Sequence, residues 1–416
     1  MTSISAAGDP ARAVLRLRDF RLFMSGRLLS ILCTQMQAVA VGWQVYDITH
    51  DPLTLGYVGL AGFLPIAGLT LPAGDVADRF DRRRVITVAY ALQGLCALLF
   101  LALTLAGPTD VRPFYVVMAL FGIGRAFAGP SQQSFVPFLV PKAQVAPAVA
   151  WSSTANQIGT ILGPALGGVI YIFGPAAVYT TCLTFFSVAV ASIAAIRTQV
   201  RIPPPEPGVT ALGRLVAGLR FVGTKPIVLG AISLDLFAVL LGGASAMLPV
   251  YAHDILDVGP EGLGMLRSAM AVGATTTAIV LANLPLRGRA GHTMFGAVAV
   301  FGAAVIVFAL SHSFVLSLAA LAVMGAGDQV SVVTRNTMVQ LATPENMRGR
   351  VSAVHMLFVG TSNELGEFRA GTMAAWIGAV PAVALGGFGI LSVVGLWSWW
   401  FPDLRKVNRL TDVMPS

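Results

Sequence analysis

Apolar residues run along this chain in long blocks separated by short polar breaks. A membrane-crossing helix needs about 20 mostly apolar residues to span the hydrocarbon. On that criterion the pattern predicts twelve spans, at roughly 22–47, 53–74, 85–106, 113–137, 144–172, 176–196, 226–252, 261–285, 292–311, 314–340, 346–377 and 380–401. Some breaks consist of turn residues alone. The uncharged run from Ala143 to Ile196 is too long for one helix, and Gly174-Pro175 divides it into a hairpin of two.

Composition supports that reading. Hydrophobic residues make up 56% of the 416-residue chain and charged residues 11%, where soluble domains have about 45–50% and about 25%. The expected class is therefore an all-α, polytopic membrane protein. The 44 glycines and 24 prolines fit membrane helices, which pack through small residues and tolerate proline. A formal charge of +8 would by itself suggest a nucleic-acid or lipid-surface partner. The positions of the basic residues argue otherwise. They collect in the N-terminal arm (Arg12, Arg16, Arg18, Arg21, Arg27), between spans 2 and 3 (Arg79, Arg82, Arg83, Arg84), after spans 4 and 6, and after spans 8, 10 and 12. With twelve alternating helices all of these fall on one side, and one missed helix would scramble the bias. The opposite loops hold mainly acids and histidines, including Asp47, His50, Asp51, His253 and Asp254, with Arg112 as the exception. The positive-inside rule then places both termini in the cytoplasm.

Cys33, Cys96 and Cys182 lie singly in apolar runs, without a CxxC or a Cys/His cluster, so neither a disulfide nor a metal site is expected. Residues 1–20 are polar and basic and carry no secretory signal pattern. The long interior loop from Arg197 to Lys225 divides the chain. The expected organisation is a cytoplasmic arm (1–20), a six-helix bundle (21–196), a cytoplasmic linker (197–225), a second six-helix bundle (226–402) and a cytoplasmic tail (403–416). Within the linker, "RIPPPEPG" reads as extended and "ALGRLVAGLRFV" as a short amphipathic helix on the membrane surface. The halves also align with each other. Without gaps, Phe121–Val145 falls on Met324–Arg348, matching Gly122 with Gly325 and Gly124 with Gly327. The same register matches Gly163 with Gly366 and Gly168 with Gly371. Repeats on this scale in a membrane protein point to a transporter with its site near the midplane.

The stretch "GDVADRFDRRR" (Gly74–Arg84) packs seven charges into eleven residues of an otherwise oily chain. Gly74, Asp78, Arg79, Arg82 and Arg83 match G-x-x-x-D-R-x-G-R-R, with Asp81 in place of the second glycine. In span 5, "GTILGPALGG" fits G-x-x-x-G-P-x-x-G-G through Gly159, Gly163, Pro164, Gly167 and Gly168. "RAFAG" in span 4 resembles R-x-x-Q-G, with Ala128 for the glutamine. On these motifs the chain resembles the major facilitator superfamily over about residues 20–402. "RGRVSAV" and "SNELGEF" look like the branch of the enterobactin exporter and of macrolide and drug efflux pumps.

The resemblance implies two pseudo-symmetric six-helix bundles in a bacterial inner (plasma) membrane, and links the span-5 motif to antiporters that export their substrate. It also implies that Asp78 latches the cytoplasmic ends of helices 2 and 11 in the outward-open state, in a gate of Gly74, Asp78, Arg79, Arg82 and Arg83. The bland alternative is a loop that only sets topology. The matching second-half loop, "LPLRGRAG", keeps arginines but has Leu286 where the acid would stand.

Read from the residues, Gly159, Gly163 and Gly167 share one helix face and let a neighbour approach closely, while Pro164 bends the rod. Ionisable groups at membrane depth are functional candidates by default. Here they are Arg125 in span 4, its repeat counterpart Asp328 in span 10, Asp235 in span 7, and Glu364 and Glu367 in span 11. A carboxyl in low dielectric keeps its proton to higher pH, which suits proton coupling. The alternative is structural pairing, such as Glu367 with Arg369. Gln35, Gln37, Asn156, Gln157 and Asn363 are candidates to line a substrate cavity, or to serve as interhelical glue.

The expected activity is proton-coupled export of a bulky organic molecule, a siderophore or drug, by alternating access. Uptake by symport, or lipid translocation, uses the same fold. A receptor or membrane enzyme lacks any supporting motif. The expected partners are a small-molecule substrate and membrane lipids, with no nucleic acid. The proton gradient is the energy source, no cofactor is expected, and the chain is expected to be monomeric. If Asp78 is the latch, Asp78→Asn loses most transport in liposomes, and wild-type turnover refutes that role.

Overall fold

The computed structural model describes residues 13–198, 211–284 and 288–407. The linker stretch "RIPPPEPG" and the centre of "LPLRGRAG", including Leu286, lie outside the described residues. The first six long helices are α1 (Arg18–Thr49), α2 (Pro52–Arg79), α3 (Arg82–Leu105), α4 (Arg112–Phe135), α5 (Val145–Tyr171) and α6 (Pro175–Ala194). After a linker helix (Ala211–Thr224) come α7 (Pro226–Gly242), α8 (Gly259–Asn283), α9 (Ala290–Ala309), α10 (Phe314–Ala342), α11 (Glu345–Ile377) and α12 (Ala379–Trp400).

Each of the twelve expected spans contains a long helix among the described residues, and the seventh is interrupted at Gly243. Ten of these stretches are long and apolar enough to cross a membrane by length and composition. The two outside that set are α5 and α11. Both are long, but α5 carries Ser152, Ser153, Asn156 and Gln157, and α11 carries Glu364, Glu367 and Arg369. They are the helices of the glycine motif and the charge cluster, and neighbouring helices can shield polar side chains that lipid cannot.

The charged stretch is mostly helix rather than loop. Gly74–Arg79 closes α2 and Arg82–Arg84 opens α3, leaving only Phe80 and Asp81 between them. Asp81, where the motif has glycine, caps α3: its carboxylate accepts from the Arg83 N–H at 3.0 Å. Its φ of −59° lies in a region open to any residue.

The chain divides into two compact units, one of residues 1–38 and 64–207, the other of 39–63 and 208–416. The division cuts α1 after Ala38 and α2 after Phe63, so the Thr49 end of α1 and the Pro52 end of α2 belong with the second unit. Within the first unit α3 packs on α4 and α6. Phe100 stacks on Tyr179 at 5.4 Å and lies against Phe114 at 5.8 Å. Within the second unit α9 packs in the same way on α10 and α12, and α7 packs on α11 and α12.

The aligned glycines sit at corresponding contacts. A Cβ on Gly124 would lie 3.2 Å from the Ala89 carbonyl of α3, and one on Gly327 2.9 Å from the Ala297 carbonyl of α9. A Cβ on Gly159, Gly163 or Gly167 would lie 2.5 Å from Ile31 Cγ2, 2.5 Å from Gln35 Cβ or 2.9 Å from Met36 Cα, so the whole face closes on α1. Gly366 holds α11 against α7 in the same manner, with a Cβ 2.8 Å from the Val239 carbonyl. The apolar surface left over, including Leu64, Val88, Val116, Ile279 and Trp399, is exposed, as a lipid-facing belt requires.

The linker helix departs from expectation. Gly218 abuts the Arg350 carbonyl and Val354 of α11, and Val222 is buried. Part of its apolar face is thus spent on α11, while Val216 and Leu219 stay exposed. The C-terminal tryptophans also divide. Trp397 is buried and donates its indole N–H to Ser233 Oγ at 2.9 Å, whereas Trp399 and Trp400 are exposed.

Gly167→Val forces a branched side chain into the α1 backbone. Overpacking of this kind costs about 1–3 kcal/mol, so the variant is expected to melt several degrees lower in detergent. Nothing lies within 4 Å of a Cβ on Gly74, so Gly74→Ala is expected to melt like the wild type.

Candidate functional site

The seventh span is a broken rod. α7 ends at Gly243, whose φ of 50° takes the chain into the left-handed region. Glycine is needed there twice over, because a Cβ would also lie 2.6 Å from the Gly366 carbonyl of α11. A 3-10 turn (Ala244–Met247) and a π turn (Tyr251–Ile255) follow.

Ending a helix inside a membrane orphans its last carbonyls. Arg369 of α11 meets that need. Its Nε donates to the Leu240 carbonyl at 3.0 Å, one terminal nitrogen donates to the Leu241 carbonyl, and the other lies 3.0 Å from Met373 Sδ. Arg369 thus caps the broken helix end, whereas the structural alternative from the sequence pairs it with Glu367. Glu367 instead accepts from Ser245 Oγ at 3.1 Å. Residues two apart on a helix do not face each other, so Glu367 and Arg369 of α11 are directed to different partners.

Beside this break lies a cavity of about 150 Å³ within the second unit. Asp235 and Gly243 line it from α7 and its end, Ser245 from the 3-10 turn, Asp328 and Arg335 from α10, and Asn363 from α11. Asp235 and Arg335 form an ion pair and are 6% and 2% exposed, so the charge of each is answered in place. Asp328 is half-buried and has no hydrogen-bond or ion-pair partner among the described residues. It stands about two helical turns before Arg335 on α10, and seven residues put both on one side of that helix. The cavity thus presents a neutralised buried pair, one unpaired carboxylate and the amide of Asn363, which donates to the Val359 carbonyl at 2.8 Å.

The structure brings Asp235, Asp328 and Asn363 together, but not the other candidates. Glu364 and Glu367 face α2, their carboxylates 3.5 and 3.3 Å from a Cβ on Gly59, and Glu367 reaches the cavity only through Ser245. Arg125 is exposed on α4 in the first unit. Asn156 and Gln157 line a separate cavity of about 560 Å³ in that unit, with Arg27, Gln133, Ser152 and Ser153. Gln35 packs on Gly163, and Gln37 is buried with both amide atoms unpartnered. Of the gate residues, Arg82 donates to Ser134 Oγ at 3.0 Å with its guanidinium 4.7 Å from the Phe138 ring centre. Arg83 donates to the Ile196 carbonyl. Both arginines therefore tie α3 to its own unit. Arg79 is exposed, and the Asp78 side chain lies outside the described residues.

Three basic residues were not singled out from the sequence: Arg335, Arg27 and Arg267 of α8, whose Nε is buried without a hydrogen bond among the described residues. Arg335 lies one residue beyond the buried Thr334 on α10, and the argument that singled out Asp328 applies equally to it. Arg27 is nine residues into α1, about 14 Å along the helix, so it belongs to the bundle and not to the arm. Its Nε is buried without a hydrogen bond.

Residues 10–412 match the family model described as transmembrane secretion effector. The chain belongs to this family of major facilitator transporters. The enterobactin exporter of Escherichia coli (strain SMS-3-5 / SECEC) is 26% identical to this transporter over 402 residues, covering 95% of each chain. The enterobactin exporter of Shigella boydii serotype 18 is 26% identical over 395 residues, covering 94% of this chain and 93% of its own. Among solved structures, a bacterial homologue of the human lysosomal transporter Spinster, inward-facing and unoccupied, superposes with a TM-score of 0.70 at 14% identity over 98% of both chains. An inward-facing bacterial homologue of the iron transporter ferroportin gives 0.68 at 16% identity, covering 94% of this transporter and 99% of its own chain. These last two establish the fold.

Removing one partner of a buried ion pair costs about 3–5 kcal/mol, whereas removing both is often neutral. Arg335→Met and Asp235→Leu are each expected to lower the melting temperature of this transporter in detergent, and the double variant to recover most of the loss. Equal, additive losses would mean that the two charges act separately.

Proposed function

We propose that this transporter exports a bulky organic compound across a bacterial inner membrane in exchange for protons. Siderophores and hydrophobic drugs are the leading classes. The observation that carries the reading is Asp328, a half-buried carboxylate with no hydrogen-bond or ion-pair partner among the described residues, in the cavity that also holds the Asp235–Arg335 pair. Such a group is costly when ionised. It is suited to taking up a proton on one side of the membrane and releasing it on the other.

Three further points support the reading. The relatives of similar length are enterobactin exporters. The "GTILGPALGG" motif of α5 is the one that the family resemblance links to exporting antiporters. The arginine-rich loops all fall on one side of an alternating twelve-helix chain, which under the positive-inside rule is the cytoplasm. Transport then proceeds by alternating access, with the two bundles exposing a site to each side in turn. Protonation of Asp328 shifts the balance between those states because it removes the charge that the cavity must otherwise solvate.

A ligand is found first by thermal shift of the purified protein against siderophores, antibiotics and lysolipids, since binding to the folded state raises stability by mass action. Flux of that ligand is then followed in inverted vesicles with an imposed proton gradient. Asp328→Asn is expected to lose at least tenfold in proton-driven flux while keeping substrate–substrate exchange. Unchanged coupling in Asp328→Asn would refute the assignment.

A further inference from the structure

At the Thr49 end of α1 the structure gathers Asp47 and His50 with His253 and Asp254, two pairs from distant segments of the sequence. His50 ends α1 with φ of 48°, in the left-handed region. His253 and Asp254 lie side by side on the π turn after α7, a wide turn that often marks functional sites. All belong to the second unit. One ligand atom from each of His50, His253 and Asp254 can be chosen so that all lie within 4.8 Å of one another.

From this geometry we propose that His50, His253 and Asp254 form a binding site for a divalent transition-metal ion such as Zn²⁺. The ligand set argues for that class of ion. Two imidazoles and one carboxylate suit zinc and its neighbours, whereas calcium and magnesium require mostly oxygen. With Zn–N and Zn–O bonds of about 2.0–2.2 Å, tetrahedral ligand atoms stand roughly 3.3 Å apart. Binding requires side-chain rotation from the observed spread of up to 4.8 Å toward that spacing. Three protein ligands leave the fourth position to water.

The surroundings already orient the ligands. His253 Nδ1 is 2.7 Å from Asp254 Oδ1, and its Nε2 is 3.5 Å from Asp47 Oδ1. An ion on Nδ1 thus leaves Nε2–H facing Asp47, the carboxylate–histidine–metal arrangement that sets tautomer and ring position. The Tyr46 hydroxyl donates to the other Asp254 oxygen. The His50 and His253 rings lie 5.3 Å apart, and Trp43 packs 5.3 Å from the His253 ring. A bound ion would staple the end of α1 to the π turn. Two segments about 200 residues apart in sequence would then be held at one point.

The test uses full-length protein purified without a polyhistidine tag, with Zn²⁺ followed by calorimetry and Co²⁺ by its visible absorption. The three cysteines are buried and free, so they do not compete. The expected result is one ion per chain at micromolar affinity, with a Zn²⁺-dependent rise in melting temperature. Binding is expected to weaken at least tenfold in His50→Ala and in His253→Gln, and to stay unchanged in His312→Ala. Both histidine variants should melt like the wild type when metal-free; should His253→Gln not fold, His50→Ala alone carries the comparison. Absence of binding below millimolar Zn²⁺, or binding that survives the loss of His50, would overturn the proposal.

Discussion

The guanidinium of Arg369 on the carbonyls of Leu240 and Leu241 is the interaction on which the second unit's centre depends. A backbone break inside a membrane bundle leaves carbonyls that neither water nor a continuing helix can satisfy. Hydrogen bonds from a charged donor are worth about 1.5–3 kcal/mol each, so supplying two of them makes the break tolerable. Once α7 can stop at Gly243, the chain after it is free to follow a tighter turn and then a wider one. Asp235 can remain on the helical part, while Ser245, His253 and Asp254 leave its axis. Glu367, two residues before Arg369 on α11, accepts from Ser245 of the turn that follows the break.

The same logic of local compensation explains the cavity. Asp235 and Arg335 answer each other's charge where lipid and packed side chains cannot. Asp328 has no such partner among the described residues, and the contrast between the two carboxylates gives the cavity its chemical character. A uniformly paired set of charges would be structural. A single acid without a partner among the described residues sets this cavity apart from such a set.

Close packing accounts for what the two units share. Gly163 and Gly366 occupy aligned positions, and each brings its helix onto the first helix of its own unit. Gly124 and Gly327 do the same between the third and fourth helices. The chemistry is not shared. The position of Arg125 in the first unit is that of Asp328 in the second, and the Arg82 and Arg83 contacts serve the first unit alone. Backbone proximity constrains residue size strictly and residue chemistry hardly at all, so the repeat persists in the glycines while the charges diverge.

The sequence by itself determined where the long helical spans lie, the glycine face of α5 and the family. All of these rest on local hydropathy, regular spacing or contiguous motifs, which a linear chain displays. It also singled out Asp235, Asp328 and Asn363 by the cost of polarity at membrane depth. Only the tertiary structure decided which charges meet. Arg335 with Asp235, Arg369 with a broken helix end, and His50 with His253 are partnerships between residues a hundred or more positions apart. Rotation of each helix about its axis, fixed by packing, selects such partners, and hydropathy carries no record of it. The break in α7 was hidden for the same reason: an apolar run with Gly242-Gly243 and Pro249 reads as one membrane helix until the group that caps its loose end is seen.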